Sequence, residues 1–296
     1  MDIKPIISPE RLEQDAELLQ EWLAKQPHLP KIDDKKRLIC FLHHNKYSLE
    51  KTKQKLDNYY TLRNKYPEIF KNRDPYGQAV ARARVSYNVC LAKTLSKDGG
   101  RIIYAQPNPD TSIYNVTDFI TYGTMVCDLF CLEHELHEYS ANITDCAGLQ
   151  YGHLVRSLPW IKAAVDIFLN CYVTRFKAFH MINVSPGLEI VFTGFKNFLP
   201  AKFVDRFYVH SSAESLLKVV DKEIVCSEYG GTGPSLAELD REFHFKSFFP
   251  MAQLDVFLSN GTKRFRGRKV EGGLDWRRNR ASGSFRPILA MIFHGA

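Results

Sequence analysis

The run Glu133-His134-Glu135-Leu136-His137-Glu138 invites a chemical reading, because imidazoles and carboxylates at short spacing can hold a metal ion or move protons. A zincin helix needs histidines at i and i+4, and here the fourth position is Glu138, so the spacing fails. His43-His44 sits between Leu42 and Asn45 with no third ligand near it in sequence. Gly230-Gly231-Thr232-Gly233 lacks the lysine of a phosphate loop and the helical pattern that follows a dinucleotide site. There is no Gly-x-Ser-x-Gly elbow. These spacings point away from an enzyme and imply neither a metal nor a cofactor.

Four cations are better placed. Arg175 and Lys177 alternate at the start of a strand-like run and so share a face, while Lys202 and Arg206 are i, i+4 on a helical face. Between the two pairs lies an apolar helix. Ser185 is its N-cap, Pro186 suits its first turn and Pro200 stops it. Leu188, Val191, Phe192, Phe195, Phe198 and Leu199 form one stripe along it. Burying each large side chain is worth about 1.5–3 kcal/mol, so the stripe must meet a core, a ligand or a bilayer.

The elements that would position these groups fall into two kinds. Ser8-Pro9 opens a helix with apolar positions Leu12, Ala16, Leu19, Trp22 and Leu23; a second follows Asp33-Asp34; a third runs from Ser48 to Arg63. The polar bend Lys71 to Gly77 marks a boundary. Beyond it strands alternate with helices, which favours an α/β arrangement. Strands are expected at 101–105, 176–184 and 207–209. Helices are expected from Val116 to about Glu138 and from Pro159 to Tyr172, the latter with Ile161, Val165, Phe168 and Tyr172 on one face.

At 296 residues the chain can hold one large domain, or one plus a small helical module. No apolar run approaches the ~18–20 residues needed to span a bilayer, and the first residues lack the apolar core of a signal peptide. The seven cysteines (40, 90, 127, 131, 146, 171 and 226) contain no Cys-x-x-Cys pair, and are expected to be reduced thiols in a cytoplasmic protein. The Asn-x-Ser/Thr sites at Asn115, Asn142, Asn183 and Asn260 are expected to be inert. The net charge of +7 resides in residues 261–296, where nine cations face only Glu271 and Asp275. Such a tail suits anionic lipid or nucleic acid. Nucleic acid is the weaker reading, since only Phe265, Trp276 and Phe285 are interleaved with the arginines.

From about Lys35 to Gly231 the motifs Tyr47 to Lys53, Asn72-Arg-Asp-Pro75, Asp145-Cys-Ala-Gly148, His180-Met-Ile-Asn183, Phe198-Leu-Pro-Ala-Lys202 and Glu228-Tyr-Gly-Gly231, with Trp22 to Pro30 ahead of them, resemble those of the CRAL-TRIO lipid-binding family. The resemblance is to its α-tocopherol-transfer and insect members in particular. It implies an α/β fold: an N-terminal three-helix module (1–75), a CRAL-TRIO domain whose mostly parallel sheet floors a lipid cavity (76–235), and a C-terminal extension with the basic tail (236–296). With helical phase, it implies a pocket lined by Ile120, Cys127, Ala164, Ile167, Phe168, Tyr172, Phe176, Phe179, Val191, Phe192 and Phe195. It also implies a phosphoinositide headgroup at Arg175, Lys177, Lys202 and Arg206. The expected function is binding and inter-membrane transfer of a tocopherol, retinoid, carotenoid or similar lipid by a cytoplasmic monomer that meets membranes transiently. The alternative is a phosphoinositide-dependent membrane adaptor without cargo. Two departures stand out. A family arginine is replaced at Asn45, and the approach to Asp145, Glu138 to Thr144, is shorter and more polar than the family's central strand.

Overall fold

Small polar side chains start the first helices, where they precede apolar periodic runs. Ser8 Oγ accepts the Arg11 amide at 3.3 Å ahead of α1 (Pro9–Ala24), and Asp34 Oδ1 accepts the Arg37 amide at 3.4 Å ahead of α2 (Lys35–His44). Ser48 does the same for α3 (Leu49–Lys65). Leu19, Leu23, Leu38, Phe41 and Leu56 are buried between these helices. A short α4 (Pro67–Phe70) follows. Then α5 (Gln78–Ser86) passes without a turn into the first strand, β1 (Tyr87–Leu91). The computed structural model describes residues 7–251 other than 72, 133–138, 173–175, 196–200 and 211.

Five strands lie side by side in sequence order: β1, β2 (Arg101–Pro107), β3 (Tyr139–Asp145), β4 (Phe176–Ile182) and β5 (Phe207–Val209). β1 is antiparallel to β2 and the remaining pairs are parallel. The connections carry α6 (Val116–Leu132), then α7 (Tyr151–Ser157) and α8 (Ile161–Val165), then α9 (Pro186–Phe195) and α10 (Ala201–Val204). Parallel strands laid down in sequence order by right-handed crossovers put every connecting helix on one face. Packing agrees, since Ile103, Phe179, Met181 and Phe207 share an apolar cluster with Ile120, Ile167 and Phe192. The returning chain covers the other face through α11 (Ala213–Leu216) and the start of α12 (Leu236–Met251). There Ile102, Tyr104, Ala141, Ile143 and Ile182 meet Leu216, Val225, Tyr229 and Leu236.

Two motifs behind the resemblance act as braces of this sheet. Asp145, at the end of β3, accepts from Gln106 Nε2 at 2.8 Å, the Ala147 amide at 3.0 Å, Asn183 Nδ2 at 2.9 Å and Tyr229 Oη at 3.1 Å. That ties three strands to the Glu228-Tyr-Gly-Gly231 turn. A Cβ on Gly148 would lie 2.0 Å from the Pro107 carbonyl oxygen, and one on Gly231 would lie 1.8 Å from that of Val225, so only glycine fits either place. The segment expected as one helix over 159–172 is instead a 3-10 turn at 158–160, α8, and a wide π turn over Asp166–Cys171. The extra residue in that turn rotates the buried face, so that Ala163, Ala164, Ile167, Phe168, Cys171 and Tyr172 are buried while Ile161 and Val165 are only partly so.

Candidate functional site

Most residues assigned to a lipid pocket meet on the helical face of the sheet. Ile120 and Cys127 come from α6, Ala164 from α8, Ile167, Phe168 and Tyr172 from the π turn and its end, Phe176 and Phe179 from β4, and Phe192 from α9. All nine are buried in one apolar cluster. The Phe176 and Phe179 rings are 5.1 Å apart, and Phe192 meets Phe207 at 5.8 Å. Val191 does not join them, being 37% exposed. The side chain of Phe195, with Phe198 and Leu199, lies outside the described residues.

α9 is apolar on two sides. Ser185 starts it as expected, its carbonyl accepting the Glu189 amide at 2.9 Å and its hydroxyl the Leu188 amide at 3.5 Å. Leu188 and Phe192 face inward at 8% and 1% exposure, while Ile190 is 76% exposed beside Val191. A helix that only closed a core would carry polar residues outward.

The sheet on this side carries a feature that sequence reasoning missed. β3 forms over all seven residues despite its polar approach, and Asn142 and Thr144 are completely buried in it. Their neighbours Ala141 and Ile143 belong to the opposite core, so the two polar side chains face the helices. The sequence signal was the Asn142-Ile-Thr144 triplet, whose first and third residues share a strand face. Full burial also closes Asn142 to glycosylation in the fold.

An ion cluster locks the N-terminal helices to this face. The fully buried Asp128 of α6 accepts from Arg63 Nη2 at 2.7 Å, Arg73 Nη2 at 2.5 Å, Tyr59 Oη at 2.5 Å and Tyr172 Oη at 3.0 Å. Burial alone would raise the Asp128 pKa, but Arg63 and Arg73 outweigh it and hold the carboxyl below its ordinary value.

Two of the four expected headgroup cations can be placed. Lys177 at the start of β4 pairs with Asp98 of the β1–β2 loop, and Arg206 just before β5 donates to the Phe176 carbonyl at 2.9 Å. Both lie at the N-terminal ends of the parallel strands. Arg175 and the side chain of Lys202 lie outside the described residues, as do the run 133–138 and the basic tail. Asn45 ends α2, its Nδ2 donating to the Phe41 carbonyl at 2.8 Å. His43 and His44 close α2, with His43 Nδ1 2.7 Å from Tyr47 Oη. Cys40, Cys90, Cys127, Cys146, Cys171 and Cys226 are all buried. Burial pushes the Cys171 and Cys226 thiols up to about 12, which keeps them protonated and poor nucleophiles. Among the described residues no helix is long and apolar enough to cross a membrane.

Residues 8–80 match a family model described as Pinta-like, UBA domain. The chain is 26% identical over 233 residues to an alpha-tocopherol transfer protein-like protein of Homo sapiens, covering 77% of this chain and 68% of that one. It is 25% identical over 240 residues to a SEC14 cytosolic factor of Kluyveromyces lactis, covering 74% and 78%. Among solved structures, that of Sfh5 superposes with a TM-score of 0.50 at 12% identity, covering 85% of this chain and 99% of the other, which is a likeness of fold. The resemblance to CRAL-TRIO lipid-binding proteins is therefore carried by similarity over about three quarters of the chain as well as by motifs.

Proposed function

We propose that this chain, a relative of the alpha-tocopherol transfer protein-like and SEC14 proteins, binds one small hydrophobic molecule on the helical face of its sheet and carries it between membranes. The observation that supports this most is the two-sided apolar character of α9, whose Leu188 and Phe192 face the cluster while Ile190 and Val191 face outward. A closed helix holds the ligand, and an open one is stabilised by lipid at the outward side, so release is coupled to membrane contact. Arg175, Lys177, Lys202 and Arg206 would take a phosphoinositide headgroup beside α9 and assist opening. Binding and release need no covalent step. In this reading residues 1–75 form a helical support, 76–235 the carrier domain and 236–296 an extension with a basic tail, in a cytoplasmic monomer that visits membranes.

Transfer between vesicles tests it. Ile190→Ser removes an apolar side chain worth about 1.5–3 kcal/mol in a bilayer, and should slow transfer of a fluorescent lipid roughly tenfold while leaving equilibrium retention unchanged. Equal losses in both measurements, or no loss in either, would reduce α9 to an ordinary core helix.

A further inference from the structure

We infer that the buried Asn142 amide is the polar anchor of the carried molecule, which therefore presents a neutral hydrogen-bond acceptor, a carbonyl, ether or hydroxyl oxygen, to the middle of the sheet. The inference rests on the carrier reading above and names the chemistry of its ligand. Asn142 occupies the central strand, in register with Ile103 of β2 on one side and Phe179 of β4 on the other. Both neighbours belong to the apolar cluster that gathers the pocket residues, and Asn142 has no exposed surface.

The amide is held by one end. Thr144 Oγ1 donates to Asn142 Oδ1 at 2.9 Å, so the oxygen is engaged and the Nδ2 hydrogens are turned elsewhere. Among the described residues no hydrogen-bond partner lies within reach of Nδ2. Buried polar groups in folded proteins are paired almost without exception, and a donor left without an acceptor in an apolar cluster marks a place that something else completes. A strand built only for packing would carry β-branched apolar residues at both positions.

The surroundings select the acceptor. Ile103 and Phe179 flank Asn142 in the sheet, and neither carries charge. A carboxylate or phosphate would gain no counter-charge from either of them, whereas a neutral oxygen needs only the N–H that Asn142 offers. The ligand is thus an apolar molecule with a weakly polar oxygen, oriented by one hydrogen bond, as pockets with few convergent polar groups orient their contents.

Octadecane and 2-octadecanone, equal in carbon number and differing by one carbonyl oxygen, test this. The full-length protein is incubated with vesicles containing both, recovered by gel filtration, and its bound fraction measured by gas chromatography. Wild type should hold the ketone over the alkane by about tenfold, the ratio expected when a buried donor gains its acceptor. Asn142→Leu should retain both equally, with alkane retention unchanged or higher. Thr144→Val, which frees the amide to turn, should reduce the preference several-fold. Emptied of lipid, an Asn142→Leu/Thr144→Val double variant should melt above wild type, because it removes the unpaired amide donor without leaving the Thr144 hydroxyl bereft of its acceptor. Equal retention by wild type, or an Asn142→Leu protein that keeps the ketone preference, would overturn the assignment. The wild-type ratio decides by itself should the leucine variant fail to fold. Retention of neither compound would instead overturn the carrier reading, and the anchor with it.

Discussion

Replacing Asp128 with alanine should be the most destabilising single charge deletion in the described part of the chain. Asp128 is completely buried, and the two guanidinium groups it neutralises are nearly so, with Arg73 at 2% and Arg63 at 13% side-chain exposure. Removing the carboxylate leaves two buried cations facing each other, together with the Tyr59 and Tyr172 hydroxyls that donate to it. Breaking a buried pair in this way costs about 3–5 kcal/mol, against a total stability of about 5–15 kcal/mol for a typical domain. At about 2–4 °C per kcal/mol for a domain of this size, the melting temperature should fall by roughly 6–20 °C in thermal denaturation followed by circular dichroism. Replacing Asp128, Arg63 and Arg73 together by apolar residues of similar volume should recover most of the loss, because the cost lies in the uncompensated charges. The carboxyl's folded pKa lies below its ordinary value, so its contribution is present above about pH 4 and is lost as pH falls through the folded value. An Asp128→Ala protein within about 1 kcal/mol of wild type, or a triple variant no better than the single one, would refute this reading of the cluster.

Acid should also act through two histidines. Burial pulls His153 and His180 down to about 4 from the ordinary 6.5, His180 with a contribution from His210. Between those values the unfolded chain binds more protons, so stability should fall as pH drops from about 6.5 to 4, by about 3 kcal/mol per histidine at 1.4 kcal/mol per unit. Denaturant titrations across that range should show a shallower slope in a folded His153→Gln variant. Phe168→Asp puts an unpaired carboxylate into the apolar cluster and should abolish retention of a fluorescent lipid analogue; unchanged binding by a folded variant would move the pocket elsewhere. Charge reversal at Arg175, Lys177, Lys202 and Arg206 should remove preference for phosphoinositide over other anionic vesicles. Deleting residues 261–296 should instead weaken binding to any anionic vesicle at low salt by about 1 kcal/mol per cation near the surface. The opposite pattern in flotation assays would place the headgroup in the tail.

Where local chemistry decides an element, the residues announced it. Ser8, Asp34, Ser48 and Ser185 start helices as their side chains require, and β2, β4 and β5 follow their apolar runs. β1 went unread because α5 runs into Tyr87 with no glycine or proline between them, so nothing local marks the change from helix to strand. β3 carried polar residues on a buried face, which imitates a solvent-facing strand until the helices above it are placed. The π turn shifted the phase of its helix by a residue, which no regular periodicity foresees. The apolar cluster on the helical face was readable through Phe168, Phe179 and Phe192, large apolar side chains in phase with one face. Val191 was not, because a helix apolar on two sides offers no contrast from which to choose its inner edge. Asn142 was hidden by a sequence triplet that means something else on a surface.

Lipid extraction from the purified full-length chain, followed by mass spectrometry, asks most simply whether this protein is a carrier. A carrier should release close to one equivalent of a single lipophilic class per chain, uncharged and bearing at least one oxygen, and Phe168→Asp should come out empty. Wild-type protein that yields no lipid, or only the substoichiometric mixture of bulk membrane lipids that any apolar surface collects, would contradict it.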